Sequence, residues 1–164
     1  MKHVLFAVCA VSAVVVIFGA TPDRVDNSVS GKVTAQATSE QLCMAHNIYY
    51  EAGVESTSGK YAVAQVTMNR VKTGRWGRSV CSVVYSPKQF SWTTKNTVEP
   101  PRGAAWTESQ QIARAVLRGA VVPKLNTALY YHADYCNPAW RKNSAKIAKI
   151  GQHIFYSSAK ITIT

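Results

Sequence analysis

From residue 38 to the C-terminus the chain carries six carboxylates: Glu40, Glu51, Glu55, Glu99, Glu108 and Asp134. Glu40 and Glu108 fall where helices are expected to begin, and a helix N-terminus favours an anion. Glu99 lies in the Pro-rich run Glu99-Pro100-Pro101-Arg102-Gly103. Glu51 is different. It follows Asn47-Ile48-Tyr49-Tyr50, so its carboxyl is held against large apolar and aromatic groups. Desolvation raises the pKa of such a group. If the helix continues past Gly53, Glu55 lies one turn on and adds like-charge repulsion. A carboxylic acid that stays protonated near neutral pH is what glycosidic cleavage requires, because the leaving oxygen must be protonated as positive charge develops on the sugar. The alternative is an ordinary helix Glu paired with Lys or Arg. Asp134 lies near a turn, where a solvated turn residue is the better reading and a second carboxylate the weaker one.

The aromatic residues are compatible with a saccharide site. Tyr49, Tyr50, Phe90, Trp92, Tyr130, Tyr131, Trp140, Phe155 and Tyr156 are interspersed with Asn47, Asn69, Gln89, His132 and His153. Sugar rings bind on aromatic faces while polar groups fix their hydroxyls. Core packing is the alternative for most of the aromatics and the preferred reading for Phe90 and Phe155. His132 alternates with aromatics, so it reads equally as a satisfied structural histidine or as a substrate contact. No metal or cofactor is expected, because the Cys and His residues lack the C-x-x-C and H-E-x-x-H spacings of zinc sites. A Cys nucleophile with His46, His132 or His153 has no local signature.

These side chains need a scaffold. Thr38 with Gln41 resembles a capping box and predicts a helix over about 39–52, stopped by Gly53 through its left-handed conformation. A second helix over about 58–72 is apolar around most of its circumference, predicting a central buried helix that Gly74 ends. Residues 79–86 are too short for periodicity to separate helix from strand. Thr107 with Gln110 predicts a third helix to Arg118, ended by Gly119. Residues 127–133 and 152–158 read as strands, and 160–164 as a last edge strand or a frayed end. The class is α+β, helix-dominated, with a small antiparallel sheet late in the chain.

With 164 residues, 47% hydrophobic and 16% charged, the composition supports one domain and excludes a disordered, collagen-like or long coiled-coil chain. Residues 1–20 read as a signal peptide or an uncleaved signal anchor, residues 21–37 as a linker, and residues 38–164 as the domain. The orientation expected from Lys2 puts the domain outside the cytoplasm. The formal net charge is +11. It is spread along the chain and reads as a solvated basic surface or as attraction to an anionic envelope polymer or lipid face. Export argues against nucleic acid as the partner. Cys9 falls within the leader. For Cys43, Cys81 and Cys136 one disulfide and one free thiol are expected outside the cytoplasm, with the pair undetermined.

Three blocks resemble the SleB-like cell wall hydrolases, named for the spore cortex-lytic enzyme. The first runs Leu42-Cys43-Met44-Ala45-His46-Asn47-Ile48-Tyr49-Tyr50-Glu51-Ala52 and continues through Glu55, Gly59, Ala62-Val63-Ala64 and Asn69-Arg70-Val71. The second is Val80-Cys81-Ser82-Val83-Val84-Tyr85, then Gln89-Phe90-Ser91-Trp92. The third is Ala128-Leu129-Tyr130-Tyr131-His132-Ala133, Pro138, Trp140, then Ile150-Gly151-Gln152-His153-Ile154-Phe155-Tyr156. The resemblance implies a lysozyme-like or transglycosylase-like single domain that cleaves peptidoglycan between N-acetylmuramic acid and N-acetylglucosamine. The family's catalytic Glu falls on Glu51. Asn47, Tyr50, Asn69, Gln89, Trp92 and His132 become candidates for binding the substrate. A lytic transglycosylase route needs one Glu, which weakens the case for Asp134 further. A catalytically inactive peptidoglycan-binding protein on the same fold is the alternative. The family usually places Arg two residues after the catalytic Glu, where this chain has Gly53, and this puts the environment of Glu55 in doubt. Both a phage lysin and a bacterial envelope enzyme fit.

Overall fold

A computed structural model describes residues 32–95 and 97–158. The leader, most of the linker and residues 160–164 lie outside the described residues. Four α-helices come first: α1 (Lys32–Ala52), α2 (Thr57–Thr73), α3 (Val80–Val84) and α4 (Gly103–Leu117). Three strands follow: β1 (Tyr130–Ala133), β2 (Ala145–Ile150) and β3 (His153–Ser157). They form an antiparallel sheet in the order β1-β3-β2.

The core follows from the helix faces. α2 buries residues all round, from Gly59 through Arg70, as its apolar circumference predicts. It packs on α1, α3 and α4. Met44, Ala45 and Ile48 of α1, Val63 and Val66 of α2, Ile112 and Val116 of α4 and Phe155 of β3 form one continuous core. Gly74 ends α2 in the left-handed conformation, at φ 65°, and closes its last turn onto Arg70 and Val71. Ser56 caps the start by accepting from Gly59 N–H.

Several sequence expectations are corrected here. α1 includes Lys32, ahead of the expected start near 39, so segment 32–37 is helical and Thr38 is interior. Gly53 does end α1, but not through a positive φ. A Cβ at Gly53 would lie 2.4 Å from the Tyr49 carbonyl oxygen, so close backbone approach is the reason for glycine. α4 begins at Gly103, after Pro100-Pro101, so Thr107 caps nothing and donates back to the Gly103 carbonyl. Residues 80–84 are helical, initiated by a capping box between Ser79 and Ser82. β2 was not foreseen. A bulge between Lys146 and Ala148 breaks its period of two.

The two Glu residues assigned to helix starts are employed otherwise. Glu40 sits inside α1 and accepts from the N–H groups of Val80 and Cys81, capping the neighbouring α3. Glu108 sits inside α4, accepts from Thr57 at 2.6 Å and pairs with the buried Lys60 at 2.6 Å. A Cys43–Cys81 disulfide joins α1 to α3 beside the Glu40 cap. The expected free thiol is not found: Cys136 is disulfide-bonded as well, and among the described residues no cysteine is free.

The Cys43–Cys81 bridge closes a sequence separation of 38 residues, for which chain entropy predicts about 3–4 kcal/mol of stabilisation. Replacing both cysteines with Ser is expected to lower the unfolding free energy by roughly 2–4 kcal/mol. Urea denaturation of the double variant beside the parent measures this.

Candidate active site

Glu51 occupies the last turn of α1. The residue as a whole is half-buried, and burial of its carboxyl pushes the pKa up from 4.5 to about 7. Two groups oppose that rise. The Tyr131 hydroxyl donates to Glu51 Oε2 at 3.0 Å, and the Arg70 guanidinium lies close enough to favour the carboxylate. Burial and the neighbouring Glu51 push the Tyr131 phenol well above 10, so it stays a donor. At neutral pH both forms of Glu51 are therefore accessible. This is the condition for a group that must give a proton and take one back.

The supports of Glu51 come from distant elements. Tyr131 is on β1, 80 residues away in sequence. Arg70, fully buried on α2, donates from Nε to the Leu129 carbonyl at 2.9 Å, just ahead of β1. Its guanidinium also lies 5.3 Å from the Trp76 ring and 5.4 Å from the Phe90 ring. Sequence reasoning counted Tyr131 among the aromatics of a saccharide site without linking it to Glu51, and gave Arg70 no role. The available signal was Arg70 set between Met68 and Val71 on a helix expected to be buried, where a charge demands a buried partner.

The remaining acids do not converge on Glu51. α1 ends at Ala52, so Glu55 is not one helical turn on. Glu55 instead accepts from Gln152 N–H at 3.2 Å and sits 3.6 Å from His153 Nδ1. It does not contribute to the raised pKa of Glu51, for which desolvation is the only upward cause. The fit at the β2–β3 turn is tight. Gly151 there has φ 58°, and a Cβ on it would lie 1.9 Å from Glu55 Oε2. Asp134 is a surface residue paired with Lys149 at 2.7 Å, and that hydrogen bond holds its carboxyl below the usual range.

The expected substrate contacts divide. Asn47 is fully buried and donates to Thr67 Oγ1 at 3.0 Å, tying α1 to α2. Asn69 is buried and donates to the carbonyls of Leu125 at 2.7 Å and Ala128 at 2.8 Å while accepting from Gln65. It fixes the segment that delivers β1 and does not reach Glu51. His132 points to the opposite face of β1 from Tyr131, as strand alternation requires. There its Nδ1 lies 2.8 Å from the Ala133 carbonyl oxygen and its Nε2 3.0 Å from the Tyr156 hydroxyl, and it stacks on Tyr156 beside Trp140. His132 is thus a satisfied structural histidine. Trp92 is 9% exposed, and its Nε1 is sealed from solvent, as is the Oε1 of Gln89. Trp92 supports the site by packing under Tyr50, with ring centroids 4.6 Å apart. Tyr50, next to Glu51 in sequence, is half-buried, and its hydroxyl donates to the Glu99 carbonyl at 2.9 Å. Of the six candidates, Tyr50 and Gln89 are half-buried and the other four are buried.

Comparison with known proteins identifies the family. Residues 54–156 match the Cell Wall Hydrolase family, and the chain belongs to that family. The matched region begins just after Glu51. A spore cortex-lytic enzyme from Oceanobacillus iheyensis is 30% identical over 115 residues, covering 68% of this chain and 39% of that protein. The Bacillus subtilis spore cortex-lytic enzyme is 26% identical, with 68% of this chain and 35% of that protein covered. The chain thus spans about two fifths of the length of these relatives. The catalytic domain of the germination-specific lytic transglycosylase SleB from Bacillus anthracis superposes with a TM-score of 0.62 at 28% identity, covering 81% of this chain and 100% of that domain. The Bacillus cereus SleB catalytic domain gives a TM-score of 0.61 at 28% identity, with 81% and 95% covered.

The raised pKa has a thermodynamic consequence. The folded-state value of about 7 exceeds the unfolded value of 4.5, so the folded protein binds more protons between these pH values. Stability is lost as pH rises through that window. Glu51→Gln removes the effect. The variant's stability relative to the parent is expected to grow by about 1–3 kcal/mol between pH 4.5 and 8 and then to level. Urea unfolding at both pH values tests this, and a pH-independent difference would contradict the buried acid.

Proposed function

We propose that this chain cleaves the peptidoglycan backbone between N-acetylmuramic acid and N-acetylglucosamine as a lytic transglycosylase, with Glu51 as the one acid/base. The observation that carries the reading is the desolvated Glu51 carboxyl, poised near neutral pH by Tyr131 and Arg70. The other described acids are occupied or peripheral: Glu40 caps α3, Glu55 holds the β2–β3 turn, Glu108 pairs with Lys60, Asp134 pairs with Lys149, and Glu99 is exposed in its loop. A route that needs one carboxylate suits that inventory.

Protonated Glu51 donates to the glycosidic oxygen as the bond to C1 of N-acetylmuramic acid breaks and the N-acetylglucosamine alcohol leaves. The resulting carboxylate is stabilised by the Tyr131 hydroxyl and by Arg70. It then takes the proton of the C6 hydroxyl as O6 bonds to C1. A 1,6-anhydro ring forms and Glu51 is again protonated, with no water consumed. The family's description as cell wall hydrolases and the excess of 19 Lys+Arg over 8 Asp+Glu both support work on an anionic envelope polymer outside the cytoplasm.

Digestion of purified sacculi, followed by mass spectrometry, tests the reading. The expected products are anhydro-muropeptides, lighter by one water than hydrolytic products, and absent with Glu51→Gln. Reducing-end products would replace the transglycosylase step with hydrolysis. Retained release by Glu51→Gln would refute the assignment. No products from the folded parent would favour a binding protein.

Tyr131→Phe probes the poise. Losing a hydrogen bond that favours the carboxylate lifts the Glu51 pKa above about 7. The alkaline limb of kcat/KM, where the acid form is lost, is expected to move to higher pH. An unmoved limb would remove Tyr131 from the site.

A further inference from the structure

Tyr131 holds Glu51, and a further pair of side chains bears on Tyr131. On β3, Phe155 is the direct cross-strand partner of Tyr131, and His153 lies two residues before it on the same face. The His153 ring meets the Tyr131 ring edge-on, with centroids 5.1 Å apart and planes at 81°. Phe155 flanks the same ring at 5.7 Å. The His153 ring is itself faced by a carboxylate. Its Nδ1 is sealed from solvent, and Glu55 Oε1 lies 3.6 Å away. The two side chains are 11% and 6% exposed, so solvent has little access to the pair. Glu55 is pinned in turn, with both its oxygens 3.2 Å from Gln152 N–H. A carboxylate accepts and cannot donate, so Glu55 favours the tautomer that carries the proton on Nδ1. Burial lowers the His153 pKa from 6.5, against the pull of Glu55 and Asp134 and with the push of His132. The ring is therefore mostly neutral where Glu51 titrates, near 7.

We propose that Glu55 and His153 are positioning residues: Glu55 sets the turn of the His153 ring, and that ring holds the Tyr131 hydroxyl on the Glu51 carboxyl. These roles rest on the function proposed above, and both residues act through Tyr131. Two rings from β3 leave the Tyr131 phenol little freedom to swing. A hydroxyl already held in one direction loses less entropy when it bonds to Glu51. An anchor for the β2–β3 turn alone would keep β3 in place and leave Glu51 untouched. The line Glu55–His153–Tyr131–Glu51 instead ties the protonation of the acid to a carboxylate in the turn after its own helix. The sign of the effect is distinctive. Deleting a negative charge that acts through space lowers the pKa of a neighbouring carboxyl. Loosening the Tyr131 hydrogen bond raises that of Glu51, because the bond favours the carboxylate.

The test titrates the full chain, labelled with carbon-13 at the Glu carboxyls, by NMR. The Glu51 signal is the one that Glu51→Gln removes. Glu55→Ala and His153→Leu, which keeps an apolar side chain in the buried position, are each expected to raise its midpoint by about 0.5–1 pH unit, the worth of one hydrogen bond. Glu55→Gln keeps an acceptor for Nδ1–H and is expected to leave the midpoint at the parent value. With Tyr131→Phe already present, neither Glu55→Ala nor His153→Leu is expected to raise it further. A midpoint that stays or falls in His153→Leu would overturn the proposal, as would an equal rise with Tyr131→Phe present. If Glu55→Ala does not fold, His153→Leu alone decides. The titration involves no cleavage, so the two readings fail separately. Sacculus digestion lost in Glu51→Gln with an unmoved midpoint in His153→Leu sinks the positioning alone. Digestion retained in Glu51→Gln with the midpoint raised leaves the hold on Glu51 standing and sinks the proposed function.

Discussion

A carboxyl group held out of water at the C-terminal end of a helix is the constraint around which the molecule is arranged. The helix end carries a partial negative charge, so neither the location nor the burial of Glu51 favours its ionised form. The structure answers with one hydroxyl and one guanidinium, brought from β1 and α2. That compensation is partial, and the partial balance leaves the group near pH 7. Full compensation would leave a permanent carboxylate, and none would leave a permanent acid. Neither could serve at both ends of a proton transfer.

Holding those two supports in place accounts for much of the buried polar network. Arg70 can be buried because the Leu129 carbonyl, the Glu51 carboxyl and two ring faces surround it. Asn69, its neighbour on α2, grips the carbonyls of Leu125 and Ala128. Gln65, one turn earlier, accepts from Val122 N–H. This ladder along α2 fixes the entry into β1, and so the position of Tyr131. On the far side of the sheet His132, Tyr156 and Trp140 lock the same strand from behind. Glu55 anchors the β2–β3 turn through Gln152 N–H, which keeps β3 in register against β1.

What the sequence revealed and what it hid divide along physical lines. The burial of Glu51 was legible in part, because the large apolar residues Ile48, Tyr49 and Tyr50 precede it on the same helix. The burial of α2 and its stop at Gly74 were legible for the same reason. Tyr131 and Arg70 were not, because their roles depend on tertiary approach over 80 and 19 residues from Glu51. Asn47, Asn69 and His132, expected at the ligand, each have hydrogen-bond partners within the fold. Polar side chains near aromatics look alike in sequence whether they face a substrate or satisfy buried backbone groups, and here buried carbonyls, which must be paired, claimed Asn69 and His132. Glu40 and Glu108 were misread because the helices begin well ahead of the apparent caps. β2 was hidden because its bulge sets Lys146 and Lys149 three apart, against the strand period.

Gly53 shows how tightly the end of α1 is drawn. The family's usual Arg at this position would have to place a Cβ 2.4 Å from the Tyr49 carbonyl oxygen, so the local backbone would have to differ to admit it. In this chain the turn after Glu51 closes without that side chain. The positive charge nearest the carboxyl is supplied by Arg70 from inside the core, where it cannot swing away. A cation held by a backbone carbonyl and two aromatic rings is fixed relative to the rest of the core. A surface Arg would be screened and mobile. The protonation balance of Glu51 is therefore set by packing, and the core of α2 and the chemistry at the end of α1 are parts of one construction.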